Sequence, residues 1–212
     1  MGIATTQAAL HPATTQLQAT TFVIVDTETT GGSANYHHLT EVAALKVCGG
    51  HVIGHLRSLI VNRLPIPAMI VALTGITDAM CCVAPEEIEV LGAFTSFVGD
   101  ATLVGHNLRF DLSFLNAALS RWHAPALTGP TIDTLSLARR LLRGEVENFK
   151  LATLAEYLGL RRPTHRALAD VLTTTDLLHE LIGRLGSMGV TTLEDLEHFS
   201  TPKSSRHDLT RT

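Results

Sequence analysis

The segment Phe22-Val23-Ile24-Val25-Asp26-Thr27-Glu28-Thr29-Thr30-Gly31-Gly32 drives four apolar residues straight into two acids. An unbroken apolar, β-branched run of this length, residues 21–25, reads as a strand buried on both faces. The Thr-Thr-Gly-Gly-Ser that follows reads as a turn. Side chains alternate along a strand, so Asp26 and Glu28 point to one side, about 7 Å apart along the chain. Two carboxylates aimed together repel, and a folded chain keeps them so only with cations, protons or solvent between them. A strand end with its acids in water fits the same residues.

Around this strand the pattern supplies a sheet and helices. Residues 40–47 and 52–61 read as strands joined at Gly49-Gly50, a tight hairpin signal. Pro65 and Pro67 interrupt the pattern, a short helix fits 68–73 with Gly75 closing it, and Pro85-Glu86-Glu87 suits another helix start. Residues 102–105 form a second short apolar strand. Leu112, Leu115 and Leu119 recur at helical spacing over 111–122, and shorter helices fit 134–142 and 151–158. The longest helical pattern runs from 166 to 186, with Val171, Leu178, Leu181 and Leu185 on one stripe, and a short helix fits 192–198. Strands first, then strands alternating with helices, predict an α/β layer with a mixed sheet.

At 212 residues the chain suits one domain, expected over 21–186, between a flexible N-terminal tail at 1–20 and a C-terminal linker or tail at 187–212. Sixteen basic and 20 acidic residues give a net charge of −4, so there is no basic footprint to hold duplex DNA by phosphate neutralisation alone. Nucleic acid must then be gripped locally or delivered by a partner. Cys48, Cys81 and Cys82 form no CxxC pair, which favours a reducing cytoplasm. No apolar run is long enough for a signal peptide or a membrane span, so no membrane partner is expected.

Two further motifs carry chemistry. Val104-Gly105-His106-Asn107-Leu108-Arg109-Phe110-Asp111 sets an acid at the start of an amphipathic helix, where an Asp also serves as a cap or dipole partner. Thr164-His165-Arg166-Ala167-Leu168-Ala169-Asp170 opens the longest helix. On a continuous helix His165 and Asp170 stand about 140° apart and share no stripe. With Thr164 as cap, His165 occupies a movable first turn and Asp170 a fixed position one turn later, an arrangement suited to a movable base and a rigid ligand. A histidine near a helix start is also often simply exposed.

Together "VDTETTG", "GHNLRFD" and "HRALAD", with "LTGIT" at 73–77 and "IDTLSLAR" at 132–139, resemble the motifs of the DEDDh 3′–5′ exonucleases, a family that includes the proofreading epsilon subunit of bacterial DNA polymerase III. The resemblance covers about residues 21–185 and implies an RNase H-like fold, a mixed five-stranded sheet flanked by helices. It implies Asp26, Glu28, Asp111 and Asp170 as ligands of two divalent ions, Mg²⁺ or Mn²⁺, with His165 taking the proton of the attacking water. Hard oxygen donors suit such ions, and a paired-ion site can clamp both oxygens of an in-line displacement. It further implies that Thr29 meets the terminal nucleotide, that Thr74, Gly75 and Ile76 line its pocket, and that Asn107 stands beside the site. Thr74 replaces the His that epsilon-type enzymes carry there. The implied substrate is nucleic acid with a free 3′ end, single-stranded DNA first, in proofreading or repair and with a polymerase or repair partner.

The same chemistry on RNA or short oligonucleotides is the alternative. A non-catalytic docking module would be expected to lack one of the five residues, and all five are present. Asp133 reads as a helix cap. The stretch "RLGSMGVTTLEDLEHFS" at 184–200 is similar to the segment joining exonuclease domains to GIY-YIG nuclease modules in bacterial fusion proteins.

Overall fold

In the computed structural model, which describes residues 15–200, β1 (Thr21–Thr29) is the middle strand of a five-stranded sheet ordered β3-β2-β1-β4-β5. On one side β2 (Leu39–Cys48) pairs antiparallel with β1, and β3 (His51–Leu59) antiparallel with β2. On the other side β4 (Thr102–Gly105) and β5 (Thr131–Asp133) continue in parallel. This is the mixed sheet of the RNase H-like expectation. β5 has three residues, too few to carry a period, and adds a strand that hydrophobic patterning alone does not mark.

Helices cover both faces, which is why the first apolar run does not alternate with polar residues. Phe22 and Ile24 face a cluster built from α5 (Thr134–Leu141), α6 (Leu151–Leu158) and α7 (Ala167–Gly186). Val23 and Val25 face a second cluster built from α3 (Glu87–Val98) and α4 (Leu108–Arg121). Between β3 and α3 lie α1 (Ala68–Thr74) and α2 (Asp78–Cys82), the latter a five-residue turn capped by the Thr77 hydroxyl, which accepts from the Met80 N–H.

Two expectations differ from the structure. β1 continues past Val25, because Asp26, Thr27 and Glu28 stay paired with Ala43, Val42 and Glu41 of β2, and its register shifts only between Glu28 and Thr29. The acids therefore sit inside the ladder. The described part of the expected C-terminal linker is not a linker: α8 (Leu193–Ser200) packs on α5 and β5, with Val190, Leu193 and Leu196 buried in the α7-side core. These apolar residues give the segment a stripe to bury, and the Ser200 hydroxyl accepts a hydrogen bond from the Asp133 N–H at 2.8 Å. The expected N-terminal tail likewise touches this region, since Leu17 N–H donates to the Thr191 carbonyl at 2.9 Å. The remainder of both expected tails, 1–14 and 201–212, lies outside the described residues. No helix among the described residues is long and apolar enough to cross a membrane.

Candidate active site

The two acids of β1 lie on the strand face that packs against α7, and Asp170, the fourth residue of α7, meets them there. One carboxylate oxygen from each of Asp26, Glu28 and Asp170 lies within 4.8 Å of the others. Asp111 arrives from the opposite layer, on the first turn of α4, and is fixed by the residue between the two acids. Its Oδ1 accepts from the Thr27 N–H at 2.9 Å and from the Thr27 hydroxyl at 2.8 Å.

Crowding and burial set the electrostatics. Burial first, then Asp111, Asp170, Glu28 and Glu41, hold the Asp26 carboxyl well above its ordinary range. Glu28 is pushed up to about 8 by burial and by Asp170, Glu41 and Asp111, with Arg166 pulling the other way. Asp111 is pushed up to about 7 by burial, against the lowering effect of the hydrogen bonds from Thr27. Burial also raises Asp170, offset by the Thr164 N–H and by His165. Crowded hard oxygen donors whose proton affinity is raised, Glu28 to about 8 and Asp111 to about 7, fit divalent cations, whose charge would displace such protons.

His165 is exposed and lies outside the helix, at a left-handed φ of 56°. The expected Thr164 cap does not form. α7 starts at Ala167 with Arg166 at its N-cap, and the Thr164 N–H instead donates to Asp170 Oδ1 at 2.8 Å. The chain reverses too tightly at His165 for this residue to belong to the helix.

Of the other expected contact residues, Thr29, Thr74 and Ile76 are buried, whereas Gly75 and Asn107 are exposed. The Thr29 hydroxyl donates to the Gly31 carbonyl at 2.7 Å. The Thr74 hydroxyl donates to the Ile70 carbonyl and accepts from the Ile76 N–H, so it closes the end of α1. Gly75 follows in the left-handed conformation at φ 70°, which ends the helix, and Ile76 is fully buried with Ile66 and Cys81. Asn107 is exposed at the N-cap of α4, also left-handed at φ 66°, and its N–H donates to Asp133 Oδ1 at 2.8 Å. Asp133 caps α5, as its position before Thr134 predicts, and its Oδ1 also accepts from Leu108 N–H.

Sequence reasoning missed Glu41. Its carboxylate is fully buried on β2, opposite Glu28, and receives hydrogen bonds from Arg57, Arg166 and the Ala167 N–H. An acid inside the apolar run Val42-Ala43-Ala44-Leu45 and its preceding Thr40 is the signal that could have flagged it.

A sheet-centred cluster of four acids between helical layers defines the class: an RNase H-like nuclease domain. The chain belongs to the exonuclease family whose RNase T model matches residues 23–178. It is 44% identical over 195 residues to a Mycobacterium tuberculosis protein provisionally named a bifunctional exonuclease/endonuclease, covering 86% of this chain and 30% of that one. It is 41% identical over 163 residues to a PolC-type DNA polymerase III of Bacillus cereus, covering 76% of this chain and 11% of the polymerase. The chain thus spans less than a third of the length of either relative. Among solved structures it resembles exonuclease X in complex with 5′-overhanging duplex DNA, with a TM-score of 0.67, 26% identity, 85% of this chain and 99% of that chain covered. Escherichia coli exonuclease I in complex with a dT13 oligonucleotide shares the fold, with a TM-score of 0.72 at 21% identity, over 80% of this chain and 42% of that one.

Proposed function

We propose that this chain is a DEDDh-type 3′–5′ exonuclease that removes 5′-nucleotides from DNA ends, in proofreading or repair. The observation that carries the reading is the meeting of Asp26, Glu28 and Asp170 within 4.8 Å, with Asp111 pinned by Thr27 one residue away. Asp26, Glu28, Asp111 and Asp170 would hold two divalent ions, Mg²⁺ or Mn²⁺. Bound there, such ions supply positive charge for the scissile phosphate and for the attacking and departing oxygens. They also account for a chain of net charge −4 working on a polyanion.

The chain's own residues do the rest. His165 stands exposed beside Asp170 and accepts the proton of the attacking water on a ring nitrogen. The water oxygen bonds to phosphorus as the phosphorus–O3′ bond breaks and the departing O3′ takes a proton from solvent, so the phosphate leaves on the released 5′-nucleotide and the shortened strand keeps a 3′-hydroxyl. The turn after Thr29 and the end of α1 around Thr74, Gly75 and Ile76 shape the wall for the terminal nucleotide, with Asn107 at the mouth of α4. DNA is favoured because exonucleases X and I were solved with DNA and because the PolC-type relative is a DNA polymerase. That relative also supports a polymerase or repair assembly as the partner. Three free cysteines suit a cytoplasmic setting.

Polarity and substrate are tested together with single-stranded DNA and RNA oligomers labelled at either end, digested with Mg²⁺ or Mn²⁺. The expected result is immediate release of the 3′ label as a mononucleotide, progressive shortening of the 5′-labelled strand, and no activity in Asp26→Ala. Shortening from the 5′ end, or a wild type as silent as Asp26→Ala, overturns the reading. Faster loss of RNA would make it an exoribonuclease.

A further inference from the structure

A carboxylate that accepts four hydrogen bonds stands next to the acidic cluster without belonging to it. Glu41 Oε1 accepts from Arg57 Nε at 2.8 Å and from Arg166 Nη2 at 3.0 Å, and Oε2 accepts from Arg166 Nε at 3.1 Å and from the Ala167 N–H at 3.2 Å. A fully buried carboxylate is costly to desolvate unless its partners compensate, and this one stands across the ladder from Glu28, within reach of like charges. An apolar side chain would fill this strand position at lower cost. What Glu41 adds is a two-oxygen grip on the turn that opens α7.

We propose that Glu41 is a positioning residue for the hydrolytic reaction, clamping Arg166 and Ala167 so that His165 and Asp170 are held against Asp26 and Glu28. The proposal rests on the nuclease reading above and deepens it.

His165 is bracketed by two carboxylates. On its N-terminal side the Thr164 N–H is tied to Asp170, and on its C-terminal side Arg166 and the first N–H of α7 are tied to Glu41. A non-glycine residue at φ 56° is strained and persists only where its surroundings over-determine it. Those two anchors do so. The grip comes from β2, 126 residues away in sequence, so it ties the sheet that carries Glu28 to the helix that carries Asp170. It also fixes Arg166, whose charge already acts on Glu28. Freed from Glu41, that guanidinium would turn to Glu28 and compete with cations for it.

The test is steady-state digestion of a DNA oligomer by wild type, Glu41→Gln, Arg166→Gln and the double variant, with Mn²⁺ affinity measured calorimetrically on the same proteins. Misplacing catalytic groups by about 1 Å costs up to 100-fold, so each single variant should lose roughly 10- to 100-fold in kcat with KM within about twofold. Mn²⁺ affinity should fall several-fold. Because both residues act through one contact, the double variant should be no slower than the worse single. Wild-type kcat in either single variant, or a double-variant loss equal to the product of the singles, overturns the proposal. If Glu41→Gln does not fold, Arg166→Gln decides alone by the same criteria. A silent wild type would strike the nuclease reading instead, and unchanged Mn²⁺ affinity in Arg166→Gln would then overturn the clamp.

Discussion

Asp111 reaches from α4 to β1 and binds both the backbone N–H and the hydroxyl of Thr27, the residue between Asp26 and Glu28. Through this contact the helix on one face of the sheet delivers a carboxylate to acids that belong to the other face. The backbone bond is available to any residue but proline at position 27, whereas the second bond needs a hydroxyl.

Thr27→Val removes only the hydroxyl and keeps the shape. Thr27 is buried, so the lost bond should lower stability by about 1–3 kcal/mol, read by urea denaturation. With one of its two anchors gone, Asp111 should also hold divalent ions less well, seen as a rise in the Mn²⁺ concentration needed for half-maximal activity. Wild-type stability and metal demand together would show that the contact is incidental.

The acids repel one another in the metal-free protein, so removing one should separate function from stability. Asp26→Asn should abolish cleavage yet raise the melting temperature in EDTA, by about 2–4 °C for each kcal/mol of repulsion relieved. A variant less stable than wild type in EDTA would mean that Asp26 serves the fold.

The pH dependence follows from Glu28 and Asp111. Their folded values, about 8 and about 7, lie above the ordinary 4.5 and 3.8, so the metal-free folded state keeps protons that the unfolded chain has already released. The contribution of these two groups to stability in EDTA is therefore full below about pH 4 and is lost as pH rises towards 8. Excess Mg²⁺ should flatten that decline. Thermal melts between pH 5 and 8.5, with and without Mg²⁺, read it directly, and a metal-free melting temperature that climbs over this range would contradict the account.

His165 offers a separation of backbone from chemistry. His165→Gly relieves the left-handed conformation and should leave the melting temperature unchanged or slightly higher, while kcat falls by roughly 10²–10⁴ through loss of the proton acceptor. Retained kcat would remove His165 from the mechanism.

How much of this was readable in the residues varies with the physical cause. The spacing of Asp26 and Glu28 gives their shared face directly, because strand alternation is local. The extent of β1 does not follow from its own residues, since pairing with Val42 and Ala43 of β2 carries the strand through the acids. β5 and α2 are too short to show a period. The packing of α8 needs the core that receives Val190, Leu193 and Leu196, so a polar, glycine-punctuated segment reads as a linker until that core is seen. The course of the chain at His165 is hidden for a related reason: distant Glu41 and nearby Asp170, and not a Thr164 cap, set where α7 begins. For Glu41 the residues offer only its place against the apolar run Val42-Ala43-Ala44-Leu45, because its partners Arg57 and Arg166 are brought to it by the fold.

The central claim is that Asp26, Glu28, Asp111 and Asp170 hold cations for phosphodiester hydrolysis. A crystal structure with Mn²⁺ and a 5′-mononucleotide tests it most directly. The account predicts two anomalous peaks among Asp26, Glu28, Asp111 and Asp170, with the phosphate against them and the base towards the end of α1. Manganese absent from these carboxylates, or a nucleotide bound elsewhere, would contradict it.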